Sequence, residues 1–297
     1  MFGFSVENPR TQRALQAAAL GLGIAFALMS IHGALFWTDG QAYWMAAERL
    51  RAGEELYSAT ISQDAAEVYR YAPWFAYAWI PLTYLPEEYV AMGWTLVMLA
   101  AWIFPVSAFL ALGWRERSVA FLVAPPLLVA ALGGNVQPAV IALLYAGLER
   151  RWGPGAIGVA ASLKLFPILF VAVYVARRQW VAAAAAVGLG GFLWLPALAS
   201  DIRHYPIEVG GAFSLLGMSP VVYAVATAAA VGWSLRSASW SAAGVAVVIG
   251  SCVRFIPYQL GYLLCSRPLP VEVRVEADVP LRTRAAPSGS STATSTG

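Results

Sequence analysis

Charge is scarce in this sequence. Of its 297 residues, 12% are Asp, Glu, Lys or Arg, about half the share usual in soluble domains. Hydrophobic residues make up 60%, and the mean hydropathy is +0.65. So few polar side chains cannot cover a water-soluble globule of this size, and a polytopic membrane protein is expected. The apolar/polar alternation of a membrane β-barrel is also missing. An all-α bundle follows, because lipid offers no partner to free backbone groups. The net charge of +3 is too small to suggest nucleic acid as a partner.

Other residue types are scarce too. Lys164 is the only lysine; every other cation is arginine. The two cysteines, Cys252 and Cys265, fall on one expected helix, roughly 20 Å apart, and cannot bridge within it. No Cys/His spacing of a metal site occurs, so neither metal nor another cofactor is expected. No small-residue cleavage site follows Arg10, Arg13 and the run 14–30. That run is read as a first transmembrane helix with a cytoplasmic N-terminus. No internal repeat is found.

Long apolar runs are plentiful. They lie near 13–35, 71–86, 88–112, 118–132, 137–149, 156–176, 181–198, 217–235 and 240–265. About eight to ten transmembrane segments are expected, some short or re-entrant, forming a domain over 1–270. Residues 271–297 form a polar tail, low in complexity at its end and expected to be disordered. Basic turns follow at GWRER (113–117), ERRWGPG (149–155) and RRQW (177–180).

If 156–176 crossed once, Arg150–Arg151 and Arg177–Arg178 would face opposite sides, against the positive-inside rule. Two half-spans meeting at Lys164–Pro167 resolve this. The same logic has 240–254 rise and 257–266 descend, turning at Arg254–Pro257. Asp39, the turn GGNVQP (133–138), Lys164, the 200–219 loop and Arg254 then share an outer face. The side taken by Arg115 and Arg117 depends on whether 72–86 crosses and whether the helix breaks at Pro105.

The outer loop 36–71 contains YWMAAERLRAG. It reads as an interfacial amphipathic helix, with Trp44 and Met45 toward lipid and Glu48, Arg49 and Arg51 toward water. Gly53 is its expected stop.

Ionisable groups at the edge of a helix bundle point to function. Asp39 could simply cap the next helix, and Lys164 could snorkel to the interface. Asn135 and Gln137 could serve only the turn that holds them. As a constellation they suggest more. A lone cation, Lys164 or Arg254, neutralises a phosphate. A carboxylate beside them can act as general base toward a hydroxyl. Gln, Asn and Tyr side chains can hydrogen-bond sugar hydroxyls.

In order along the chain, four stretches carry a resemblance: WTDGQAYWMAAERLRAGEELY, YRYAPWFAYAWIPLTYLP, GGNVQPAVIALL and GVAASLKLFPILFVAVYVARRQW. Over roughly 35–180 they resemble glycosyltransferase family 87 of the GT-C superfamily, the polyprenyl-phosphate-mannose-dependent α-mannosyltransferases. The resemblance implies a GT-C-like bundle in the plasma membrane and a polyprenyl-phosphate sugar donor. It also implies a lipid or glycan acceptor and an inverting transfer on the outer face. Asp39 matches the proposed first-loop base. Lys164 and Arg254 would hold the donor phosphate. Gln41, Tyr43, Tyr57, Arg70, Tyr71, Asn135, Gln137 and Tyr258 would contact sugar or acceptor. The partners implied are membrane lipid, a lipid-linked sugar donor, and a glycan or glycolipid acceptor. Two rivals stand beside this reading. One is a transporter or flippase for a lipid-linked or anionic solute, which the broken helix at Lys164 suits. The other is an inactive family member.

Overall fold

Proline sets where many helices of this chain begin. Its missing N–H costs nothing in a first turn, and its fixed φ suits a helix start. Pro73, Pro138, Pro154 and Pro220 each occupy the first or second helical position. The computed structural model describes residues 9–31, 37–57, 68–199, 205, 214–253 and 256–268. Arg254, the start of the outer loop and the tail 271–297 lie outside these described residues.

Every regular element among the described residues is helical. Helix α1 (Pro9–Ile31) lies along α5 (Trp114–Leu132), and α2 (Thr38–Arg51) packs on α3 (Pro73–Trp79). Helix α3 runs on into a 3-10 turn, Ile80–Tyr84, and α4 spans Glu87–Ala111. Then come α6 (Gln137–Gly147), α7 (Gly153–Leu163), a 3-10 turn Phe166–Phe170 with α8 (Val171–Ala176), and α9 (Trp180–Trp194). The short α10 (Leu215–Met218), α11 (Pro220–Ser237), α12 (Trp240–Gly250) and a 3-10 helix, Pro257–Ser266, complete the bundle.

Side-chain contacts fix two ends. At one end Glu116 pairs with Arg267 at 3.3 Å, and Ser241 Oγ donates to the Ser266 carbonyl at 3.3 Å. The Trp240 indole N–H donates to Glu149, and Arg177 pairs with Glu149 at 3.4 Å. The turns carrying Arg115, Arg117, Arg150, Arg151, Arg177 and Arg178 therefore gather at one end. Asp39, Gly133, Lys164 and Tyr258 gather at the other. Both expected reversals are seen: Tyr174 of α8 donates back to the Leu148 carbonyl ahead of α7, and Ser241 at the start of α12 reaches Ser266 at the end of the last 3-10 helix.

The second segment bears on the question left open at Arg115 and Arg117. Helix α3 and its 3-10 extension cover only 73–84, roughly 20 Å of rise, too short to cross about 30 Å of hydrocarbon. Helix α4 continues through Pro105, so the chain crosses the bundle once between Tyr84 and Gly113. That brings Arg115 and Arg117 to the end that holds Glu149 and Arg177.

Helix α2 departs from the sequence expectation. Trp44 is buried, with 6% exposure, so it anchors α2 in the bundle and does not face lipid. The stop is as expected: Gly53 takes φ +76 just beyond the helix, where glycine is cheapest.

Helix α5 carries Pro125 and Pro126 in its interior. Each removes a helical N–H four residues after a carbonyl, freeing the carbonyls of Phe121 and Leu122. Gly23 of α1 lies against those two oxygens; a Cβ there would sit 2.5–2.6 Å from them. The glycine lets α1 close over backbone that α5 leaves unbonded.

Two stretches, Glu87–Ala111 and Trp180–Leu198, are long and apolar enough to cross a membrane, with only 22% of each window buried. Met92, Leu96, Val97, Ile103 and Phe192 stand exposed on them. Apolar surface turned outward on this scale suits a lipid environment.

Candidate active site

The site is built on the joint between the start of α2 and the turn 133–136. Trp37 adopts a left-handed conformation, φ 72, and no side chain caps the helix it precedes. Asp39 is in the first turn of α2, so the expected capping role is not what the structure shows. Its backbone N–H instead donates to the Gly133 carbonyl at 3.1 Å. Gly134 has φ +73, and a Cβ there would lie 3.1 Å from the Gly40 nitrogen. The Trp94 indole N–H holds the Gly134 carbonyl at 2.7 Å. The glycine pair thus permits a close backbone crossing that sets Asp39 against Asn135.

Asn135 is buried, and its side-chain oxygen accepts the Gln137 N–H at 2.8 Å. That leaves the NH2 group to face outward from the turn. It reaches the Tyr258 hydroxyl at 3.3 Å and hydrogen-bonds the Asp39 carboxyl.

Lys164 ends α7, where Pro167 prevents the helix from continuing unbroken. Its ammonium donates to the Tyr71 hydroxyl at 3.1 Å. It also sits 4.9 Å from the centre of the Tyr71 ring and 5.7 Å from that of Tyr258, a cation–π arrangement. The Tyr71 hydroxyl accepts a second bond, from Tyr43 at 2.9 Å. Tyr43 in turn accepts the Val136 N–H at 3.1 Å.

The loop carrying Arg70 and Tyr71 is stapled by phenols. Tyr57 donates to the Tyr71 carbonyl at 2.7 Å, Tyr69 to the Ala72 carbonyl at 2.8 Å, and Tyr205 to the Arg70 carbonyl at 3.0 Å. Beneath it, Tyr43 meets Phe75, Trp79 and Trp94 edge to face, with centroids 5.0–6.3 Å apart. Such contacts fix ring orientation.

Burial pushes the Asp39 carboxyl above its ordinary value, opposed by the Lys164 charge, the Asn135 hydrogen bond and the Arg70 charge. Burial likewise lowers Arg70, opposed by Tyr71 and Asp39. One carboxylate and two cations therefore share one field, each sensitive to loss of the others.

Asp39, Tyr43, Arg70, Tyr71, Asn135, Lys164 and Tyr258 come together. Gln41 is partly exposed on α2, and no described contact ties its side chain to the group. Tyr57 is buried behind Tyr71 as a brace. Gln137 accepts from Tyr262 at 3.4 Å, and its amide nitrogen is buried with no partner among the described residues. Arg254 lies outside the described residues. Trp94 and Tyr205, which hold the Gly134 and Arg70 carbonyls, were not foreseen. Both sit in aromatic-rich stretches where no spacing marks them out.

Residues 69–205 match the family model of glycosyltransferase family 87. That segment, somewhat under half of the chain, resembles the family. No curated protein and no solved structure matches the chain. The outward apolar helices suit a membrane protein. The matched segment holds Arg70, Tyr71, Asn135, Gln137 and Lys164. Asp39, Tyr43 and Tyr258 lie outside it and join the residues of the matched segment through the contacts above.

Proposed function

We propose that the chain is a polytopic membrane hexosyltransferase that moves a sugar, mannose by family resemblance, from a polyprenyl-phosphate donor to a lipid or glycan hydroxyl. The observation that carries this reading is the meeting of Asp39 with Lys164, Arg70 and the buried Asn135. Asp39 is the base. The acceptor oxygen attacks the anomeric carbon as its proton passes to the Asp39 carboxylate. The bond from that carbon to the donor phosphate breaks, and its electron pair leaves on phosphate. One in-line displacement through an oxocarbenium-like state inverts the anomeric centre, as single-step glycosidases do.

Lys164 and Arg70 stabilise the charge gathered on phosphate, with Arg254 a further candidate. The scheme draws its charge stabilisation from the chain's own cations and calls on no metal. Asn135 orients the carboxylate. The basic turns at the far end support a cytoplasmic placement of that end, and hence an outer-face active site in the plasma membrane. Purified protein given polyprenyl-phosphomannose and an acceptor mixture is expected to release polyprenyl phosphate. Absence of release with every polyprenyl-phosphate hexose supplied would overturn the reading.

A further inference from the structure

The Tyr71 hydroxyl has a restricted set of partners. A phenol has one proton and two lone pairs. Lys164 is an ammonium and can only donate, so Tyr71 must accept from it, at 3.1 Å. Tyr43 accepts the Val136 N–H, and its own proton goes to Tyr71 at 2.9 Å. Both lone pairs of Tyr71 are then occupied, one by the Tyr43 hydroxyl and one by the Lys164 ammonium, which can only donate. Tyr71 is 5% exposed, and its ring lies under the same ammonium. Its backbone is held on both sides by Tyr57 and Tyr69.

We propose that Tyr71 is a positioning residue, not a sugar ligand: its hydroxyl, locked by Tyr43, fixes the Lys164 ammonium beside Asp39. The charged and titratable groups around this pair are Asp39 from α2, Arg70 from the stapled loop, Tyr43 from α2 and Tyr258 from the last 3-10 helix. None but Tyr71 is seen to hydrogen-bond the ammonium among the described residues. Loss of the Tyr71 hydroxyl removes that acceptor while the ring and its packing stay. For turnover, this inference rests on the proposed glycosyl transfer; for the placement of Lys164 it does not.

The single lysine gives a direct test. Full-length protein in micelles is treated with an acetylating succinimidyl ester at neutral pH, and acylation of Lys164 is followed by peptide mass spectrometry. A hydrogen bond to a charged group is worth about tenfold, so Tyr71→Phe is expected to acylate roughly ten times faster than wild type. Tyr57→Phe removes a bond to the Tyr71 carbonyl but leaves the hydroxyl network, and is expected to match wild type. Equal rates in Tyr71→Phe and wild type overturn the proposal, as do equal rises in both variants. If Tyr71→Phe does not fold, Tyr43→Phe takes its place, and no rise in that variant overturns the proposal. In turnover, Tyr71→Phe is expected to lower kcat and move the acid limb of the pH profile upward. A change in acceptor KM alone would mark a sugar ligand and contradict it. Because acylation needs no sugar donor, a failed transferase reading leaves this test intact.

Discussion

The Asp39 N–H donates to the Gly133 carbonyl at 3.1 Å, joining the first helix of the outer loop to a turn nearly a hundred residues later. This bond brings a carboxylate from outside the segment that resembles family 87 onto the asparagine and lysine inside it.

The joint depends on Gly134. An alanine there must hold a left-handed φ, at about 1–2 kcal/mol, and its Cβ would press on Gly40 at 3.1–3.2 Å. Gly134→Ala is expected to lower Tm and to reduce turnover together. Thermal unfolding in micelles, run beside the transferase assay, checks it.

The pH profile carries the electrostatics. Asp39 acts ionised, and burial raises its pKa, so the acid limb of kcat/KM is expected above the ordinary carboxylate range. Lys164 is the largest influence opposing that rise. Lys164→Met should therefore move the limb further up and lower kcat. A limb that stays in place in Lys164→Met contradicts the shared field.

Stability should run the other way. A carboxyl whose folded pKa is raised contributes stability present below its ordinary value and lost as pH rises through the folded one. At pH 7 the Asp39 carboxylate is a net cost to the fold. Asp39→Asn is expected to melt higher than wild type at pH 7, with the difference shrinking toward acid. Melting curves across pH decide this.

At the opposite end, Glu149 gathers Arg177 and the Trp240 indole. The partly exposed ion pair is worth at most about 1 kcal/mol, but an orphaned indole N–H costs about 1–3 kcal/mol. Glu149→Ala should lower Tm clearly, and Glu149→Gln, which keeps an acceptor, only slightly. Equal losses in the two would show that charge, not the hydrogen bond, joins these turns.

The architecture was legible where charge and proline break the apolar runs. Arg150 and Arg177 demanded that 156–176 double back, and Pro167 gave the place. The 71–86 run was harder. Its composition suits a span, and only the structure shows that its helix stops at Tyr84 and packs on α2. Trp44 misled for a related reason: an aromatic at an interface and one in a core look alike in sequence. At the site, Asp39 and Lys164 stood out because ionisable groups beside lipid are costly. The role of Tyr71 did not, because it depends on which lone pairs its neighbours occupy, and no residue pattern records that.

The central claim is that Asp39 accepts the acceptor's proton. The most direct test follows polyprenyl phosphate release from polyprenyl-phosphomannose by wild type and Asp39→Asn, both shown folded by melting. Loss of a general base is expected to slow release by about 10²–10⁴-fold. Release at the wild-type rate from folded Asp39→Asn would contradict the account.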